Sequence, residues 1–358
     1  MQDAGGHGPH TGAMTRIALR LAAAAALAAF AAFAHADDVY EALGPIFQGD
    51  LPQTLARLKA LPDDSLTAKT RPVRDCIVAR FGGASPAAVA VDPRLPADLA
   101  AVLQAYRHYW TAALLHRMTL ADADAALSDD LGRLLPDAPA GLDSRAAQAV
   151  ALAEKRGWHA LGGVTAPLHE YLLWKDQATQ REEVALPGGT VTVSVSMLDG
   201  FASLGWGAWG SCEIAHTGGW ATPQGLMVVV PGWDLAGERY RVSLLDHESQ
   251  HFADYPRFPK LAQTDLEYRA KLVELALAHG AQDDLLAMFA SGAKRDRSLP
   301  HPFAEWWVMK RLGDRLGSSD RATWKPDDVR SAATAELAAH TALLQARGAA
   351  SVESVLPD

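Results

Sequence analysis

Through the first half of the chain, apolar residues recur at spacings of three and four, which predicts amphipathic helices. The stretches "DDVYEALGPIFQGDLPQTLARLKAL", "LPADLAAVLQAYRHYWTAALLHRM" and "SRAAQAVALAEKRG" all follow this rule. Pro, Asp and Gly fill the connections, as helix–helix turns require. No repeat period emerges, so a solenoid is not supported. His108 and His116 sit eight apart on one of these helices, among Tyr, Trp and Leu. They read as packing or surface histidines rather than ligands.

From about residue 165 the pattern changes. "GGTVTVSVSM" alternates, with Val191, Val193, Val195 and Met197 on one face and Thr190, Thr192, Ser194 and Ser196 on the other. That is a half-buried strand after a Pro-Gly-Gly turn. "GLMVVVPGW" (225–233) is a continuous apolar run and suits a more buried strand. Between them lies "GWGAWGSCEIAHTGGW", whose Gly and Trp content predicts hairpins and loops. Trp206, Trp209, Trp220 and Trp233 read as core or loop anchors before they read as a sugar-binding platform. From residue 238 the helical pattern returns. Helices, then adjacent strands, then helices predict an α+β fold, with a helical N-terminal region over 37–160 and a second region over 161–358.

Composition changes this picture little. The chain has 358 residues, 49% hydrophobic and 21% charged, as expected of a folded protein of one large or two ordinary domains. A net charge of −9 without a Lys/Arg block argues against nucleic acid and against anionic membrane surfaces as partners.

The first residues matter more. Met14-Thr15-Arg16, with Arg20, forms a basic leader; an Ala/Leu/Phe run spans Leu21 to Phe33, and Ala34-His35-Ala36 is a small-x-small cleavage signature. Residues 1–36 are therefore expected to be a secretory signal, with Met14 as the start and cleavage after Ala36. The run is too short and alanine-rich for a good membrane span, and no later segment is long and apolar enough for one. An exported, periplasmic or secreted protein meets an oxidising compartment. Cys76 and Cys212 can then form a disulfide or remain as two buried thiols, and the spacing does not choose.

The chemistry concentrates in "ERYRVSLLDHESQHFADYP". Tyr240, Leu244, His247, His251 and Tyr255 fall on one helical stripe, and Pro256 is expected to end the helix near Tyr255. Histidines at i and i+4 point the same way and can share one tetrahedral ion. Glu248, one position on, stands beside such an ion, where a base takes a proton from water. A catalytic zinc needs a third protein ligand. Glu267 and Glu274, seven apart on the next helix, are candidates, and Asp254 is a third. Glu267 also fits a capping box, Thr264-Asp265-Leu266-Glu267, in which it would fold back on its own helix. If Asp254 is not a ligand, it can orient His251 through the free ring nitrogen.

His247-Glu248-Ser249-Gln250-His251 with Glu267 downstream resembles the gluzincin-type, thermolysin-like zinc metallopeptidases, over roughly residues 185–280. Glu-x-x-Ala at Glu267 is similar to the third-ligand helix of several integral-membrane relatives, although Lys271 stands where those carry an aspartate. Fifteen residues separate His251 from Glu267, fewer than in the best-known members. "HTGGWATPQGLMVVV" is similar to the edge-strand region that runs beside the substrate in this class. No further His follows, which excludes the metzincin pattern.

The resemblance implies a small mixed or antiparallel sheet packed on an active-site helix of zincin type. It implies Zn²⁺ on His247, His251 and Glu267, with Glu248 as general base in peptide hydrolysis. The substrate would be a peptide or protein, in or near the cell envelope. An oxyanion donor is also needed. His301 in "SLPHPFAEWW" is the first candidate, ahead of Tyr255, Tyr268 and His216. The competing readings are a non-catalytic zinc-containing protein that binds a cell-envelope polymer, a structural helical protein with an accidental motif, and hydrolysis of a non-peptide amide.

Overall fold

The computed structural model describes residues 38–84 and 89–358, so the expected signal segment lies outside the described residues. Six helices come first: α1 (Asp38–Leu43), α2 (Leu51–Ala60), α3 (Thr70–Phe81), α4 (Ala97–Leu114), α5 (Leu120–Leu134) and α6 (Leu142–Lys155). Their ends follow local chemistry. Asp50 caps α2 by accepting the Gln53 N–H at 3.0 Å, and Thr119 caps α5 by accepting that of Asp122. α4 is the spine, and it buries Leu99, Val102, Leu103, Tyr106, Tyr109, Trp110 and Leu114. His108 is exposed, and a ring nitrogen of His116 meets the Gly49 carbonyl at 2.9 Å, so neither is near a metal site.

The strands begin earlier than the alternation suggested. β1 (His159–Thr165), β2 (Leu168–Trp174) and the short β5 (Ser203–Leu204) form an antiparallel sheet ordered β1-β2-β5. β3 (Asp176–Leu186), β4 (Gly189–Asp199), β6 (Gly219–Thr222) and β7 (Gly225–Val229) form a second sheet ordered β3-β4-β7-β6. Its pairs are antiparallel except β4 with β7, so β6 stands at the edge. The short α7 (Trp206–Gly210) lies between β5 and β6.

The core of the helical half takes in part of the first sheet. Tyr106 stacks on Tyr171 of β2 with centroids 4.6 Å apart, and the Trp110 indole N–H donates to the His169 carbonyl at 2.8 Å. Trp206 and Trp209 belong to this same core, as anchors. Cys76 of α3 and Cys212 after α7 are joined in a disulfide.

The C-terminal half begins with α8 (Glu238–Tyr240), which runs unbroken through a π-helical segment (Arg241–Asp246) into α9 (His247–Arg257). α10 (Gln263–Leu277), α11 (Gln282–Gly292), α12 (Pro300–Leu316) and α13 (Pro326–Arg347) follow. α12 starts with Pro300 in its first turn and ends at Gly317, which takes the left-handed conformation at φ 68°. One face of the second sheet (Val193, Val195, Leu226, Val228) packs on Leu244, Leu272, Val273 and Phe303 of these helices. Its other face meets the first sheet through Leu198, Leu172 and Trp174, with Met227 and Trp220 alongside. The architecture is α+β. No helix among the described residues is long and apolar enough to cross a membrane.

Two local expectations fail. α9 runs through Pro256 to Arg257, because a proline in the last turn forfeits only one backbone bond there. The stripe from Tyr240 to His247 is also out of phase, since each turn of the intervening π segment holds one residue more than an α turn. Leu244 accordingly packs in the core against Gly219 of β6, while Tyr240 turns to Trp233, 6.1 Å away.

Candidate metal centre

α9 brings His247 and His251 onto one face, and α10 packs against that face. The two Nε2 atoms lie 3.1 Å apart. Glu267 Oε2 is 3.3 Å from the His247 Nε2, and Glu267 Oε1 is 3.5 Å from the His251 Nε2. A tetrahedral ion with bonds of 2.0–2.1 Å has ligand–ligand edges of about 3.3–3.4 Å. One ligand atom from each of the three side chains lies within 4.8 Å of the others, close enough to share one ion, and all three residues are buried. The two imidazole Nε2 atoms face each other, a contact that a shared cation would relieve. The group can hold a metal ion.

Glu274 is not in this triad. Its Oε1 pairs with the Nδ1 of His247 at 2.8 Å. A carboxylate there holds the Nδ1 proton and leaves Nε2 free to ligate, so Glu274 sets the tautomer. Asp254 is neither ligand nor partner to His251. It is clamped by Arg269 through two bonds of 2.6 and 2.9 Å and accepts a third, at 2.7 Å, from Gln250. The bidentate fork outcompetes a single imidazole contact, and the Nδ1 of His251 has no hydrogen-bond partner. Glu267 does not form a capping box either. α10 starts at Gln263, the Gln263 amide donates to Glu267 at 3.0 Å, and the carboxylate turns to the histidines.

Burial alone would lower the His247 pKa, but the Glu267 and Glu274 carboxylates outweigh it and hold the ring up at about 10. Burial likewise pushes Glu267 up, yet His301, His251 and His247 keep it well below the usual carboxylate range. Glu267 is therefore ionised beside the rings, and His247 would have to release its Nε2 proton to take up a metal ion.

His301, in the first turn of α12, places its Nδ1 2.9 Å from Glu267 Oε2. Its ring lies parallel to that of His247, with centroids 6.5 Å apart. Tyr255 stacks on the His251 ring at 6.3 Å. Glu248, Tyr255 and His301 are each partly exposed, whereas His247, His251 and Glu267 are buried. The other donor candidates lie elsewhere. Tyr268 donates to Glu336 at 2.8 Å, and the His216 ring pairs with the Thr217 carbonyl before β6. Lys271, the position at which the chain departs from the pattern it resembles, is buried and pairs with Glu305 of α12 at 3.0 Å. It ties the helix of Glu267 to the helix of His301. This tie was not read from the sequence, because an isolated Lys at that position resembles any surface lysine. No protein family, curated protein or solved structure matches the chain.

Proposed function

We propose that the protein is an exported zinc-dependent metallopeptidase of the HExxH type. The convergence of His247, His251 and Glu267 on one buried point, with Glu248 next to His247 along the same helix, carries this reading. A zinc ion in that group would draw the pKa of a water toward about 7 and polarise a carbonyl oxygen. Glu248 takes the proton of the attacking water and passes it to the leaving amine. His301 braces Glu267 and is the donor assigned to the developing oxyanion. Glu274 keeps the His247 ring in its ligating tautomer. β6, at the sheet edge beside α9, would hold an extended peptide by main-chain hydrogen bonds. That pairing of edge strand and motif helix supports grouping the chain with the gluzincins. The disulfide supports an oxidising, extracytoplasmic location.

Glu248→Gln tests the reading, because it removes the base and leaves the ligands. Zinc content by elemental analysis should stay at wild-type level. Hydrolysis of a mixed peptide library, followed by mass spectrometry, should fall by a factor of about 10²–10⁴. Equal cleavage by the variant would sink the mechanism, and wild-type zinc without any cleavage would make the protein a metal-bearing binder.

A further inference from the structure

A narrow, partly enclosed groove with a cavity volume of about 70 Å³ lies between the first sheet and the segment leading into β6. Its walls include Phe47, Trp206 and Trp220, together with Gly162 and Gly163 of β1. One carboxylate, that of Glu170, lines it. Glu170 Oε1 accepts the Trp206 backbone N–H at 2.8 Å. Among the described residues, the groups that act on the Glu170 carboxylate are hydrogen-bond donors, and no Lys, Arg or His is one of them. Burial pushes its pKa up to about 7, against the hydrogen bonds from Trp206, Thr165 and Tyr171. A carboxylate in an aromatic-walled groove without a counter-ion is costly, and a bound cation would remove that cost.

The location links the groove to the metal centre. A side chain added at Gly219 of β6 would meet Leu244, on the helical run that carries His247. Its neighbour Trp220 points to the opposite face, into the groove, beside Leu172. Side chains of an extended strand alternate between faces. A peptide added along the open edge of β6 would therefore send one side chain toward the metal side and the next toward Glu170.

We propose that this groove is a subsite for a cationic side chain, the ammonium of lysine or the guanidinium of arginine, on a peptide lying along β6. The source of the cation rests on the peptidase reading, but the recognition of charge by Glu170 does not. Calorimetry on the zinc-loaded Glu248→Gln protein, which does not consume the ligand, provides the test. The probes are acetyl-Gly-Gly-Lys-Gly-Gly-amide, its norleucine counterpart and n-butylamine. The lysine peptide should bind at least about tenfold more tightly than the norleucine peptide, and adding Glu170→Gln should abolish that preference. Gln retains an oxygen for the Trp206 N–H, and an unchanged far-ultraviolet circular dichroism spectrum would confirm an intact fold. Equal affinity for the lysine and norleucine peptides, or a preference that survives Glu170→Gln, overturns the subsite. n-Butylamine binding as tightly as the lysine peptide overturns the peptide as the source. Failure of hydrolysis in the separate Glu248 experiment would leave the lysine preference standing, so the two readings fail distinguishably.

Discussion

Among the described residues between Asp38 and Lys155, the interior holds Leu, Val, Ile and aromatic side chains, and its buried polar side chains are Thr54, Thr70 and Thr111. Behind Tyr240 the interior also holds Asp246, His247, His251, Asp254, Asp265, Glu267, Arg269, Lys271, Glu274, Glu305 and His340. The first region is built by burying apolar area, which is favourable wherever it occurs. The second keeps charges away from water, which costs free energy unless every charge is paired. Several of these charges join helices: Asp254 and Arg269 tie α9 to α10, Lys271 and Glu305 tie α10 to α12. The charged interior thus orients the three helices that carry His247, Glu267 and His301. A structure that only needed stability had the cheaper solution already in its other half.

The comparison can be broken most severely at the ligands. On the proposed reading, His251→Ala should abolish stoichiometric zinc binding, measured by elemental analysis after dialysis, and added zinc should raise the melting temperature of the wild type but not of the variant. Full zinc occupancy in that variant would show that the buried charges serve some other end. Next comes Arg269→Met, which strands Asp254 in the interior. Chemical denaturation should show a loss of about 3–5 kcal/mol, partly recovered by adding Asp254→Asn. Trp110→Ala in the helical half should lose a similar amount, about 3–5 kcal/mol, through the cavity it leaves. Its zinc content should stay at wild-type level, whereas a drop would mean that the two interiors are coupled. Glu274→Gln keeps the size of the side chain but not its charge, and should weaken zinc affinity about 10–100-fold in a competition titration with a chelator.

The remaining effect lies at the boundary between the two halves and depends on pH. The folded-state pKa of Glu170 is about 7, above its ordinary value of 4.5. Between those values the native state binds the extra proton, so stability falls as pH rises through that window and levels off above it. Glu170→Gln should flatten this slope in urea midpoints measured from pH 5 to pH 8. An unchanged slope would mean that the carboxylate is better solvated than its surroundings imply.

What the sequence made legible follows the range of each interaction. The helices of the first half and the facing of His247 and His251 depend on residues three and four apart, so their period is visible in the chain. β3 was not visible. Its residues from Asp176 to Arg181 are exposed on both faces, so no alternation marks it, and register with β4 holds it in place. β1 contains Gly162 and Gly163 and reads locally as a loop, yet it pairs along its whole length with β2. The choice of Glu267 over Glu274 is tertiary in the same way. Both lie on one face of α10, and only the docking of that helix on α9 puts one carboxylate at the two Nε2 atoms and the other behind His247 at Nδ1.

The π-helical segment just before His247 has a consequence for how this chain can change. A helix that carries one surplus residue can lose it and remain a helix. Deleting a single residue from Arg241–Asp246 would convert the segment to α-helix and turn Tyr240 relative to His247, without altering a ligand. The rim next to the motif could then be re-aimed by a one-codon deletion while HESQH keeps its place, a form of variation closed to a regular helix.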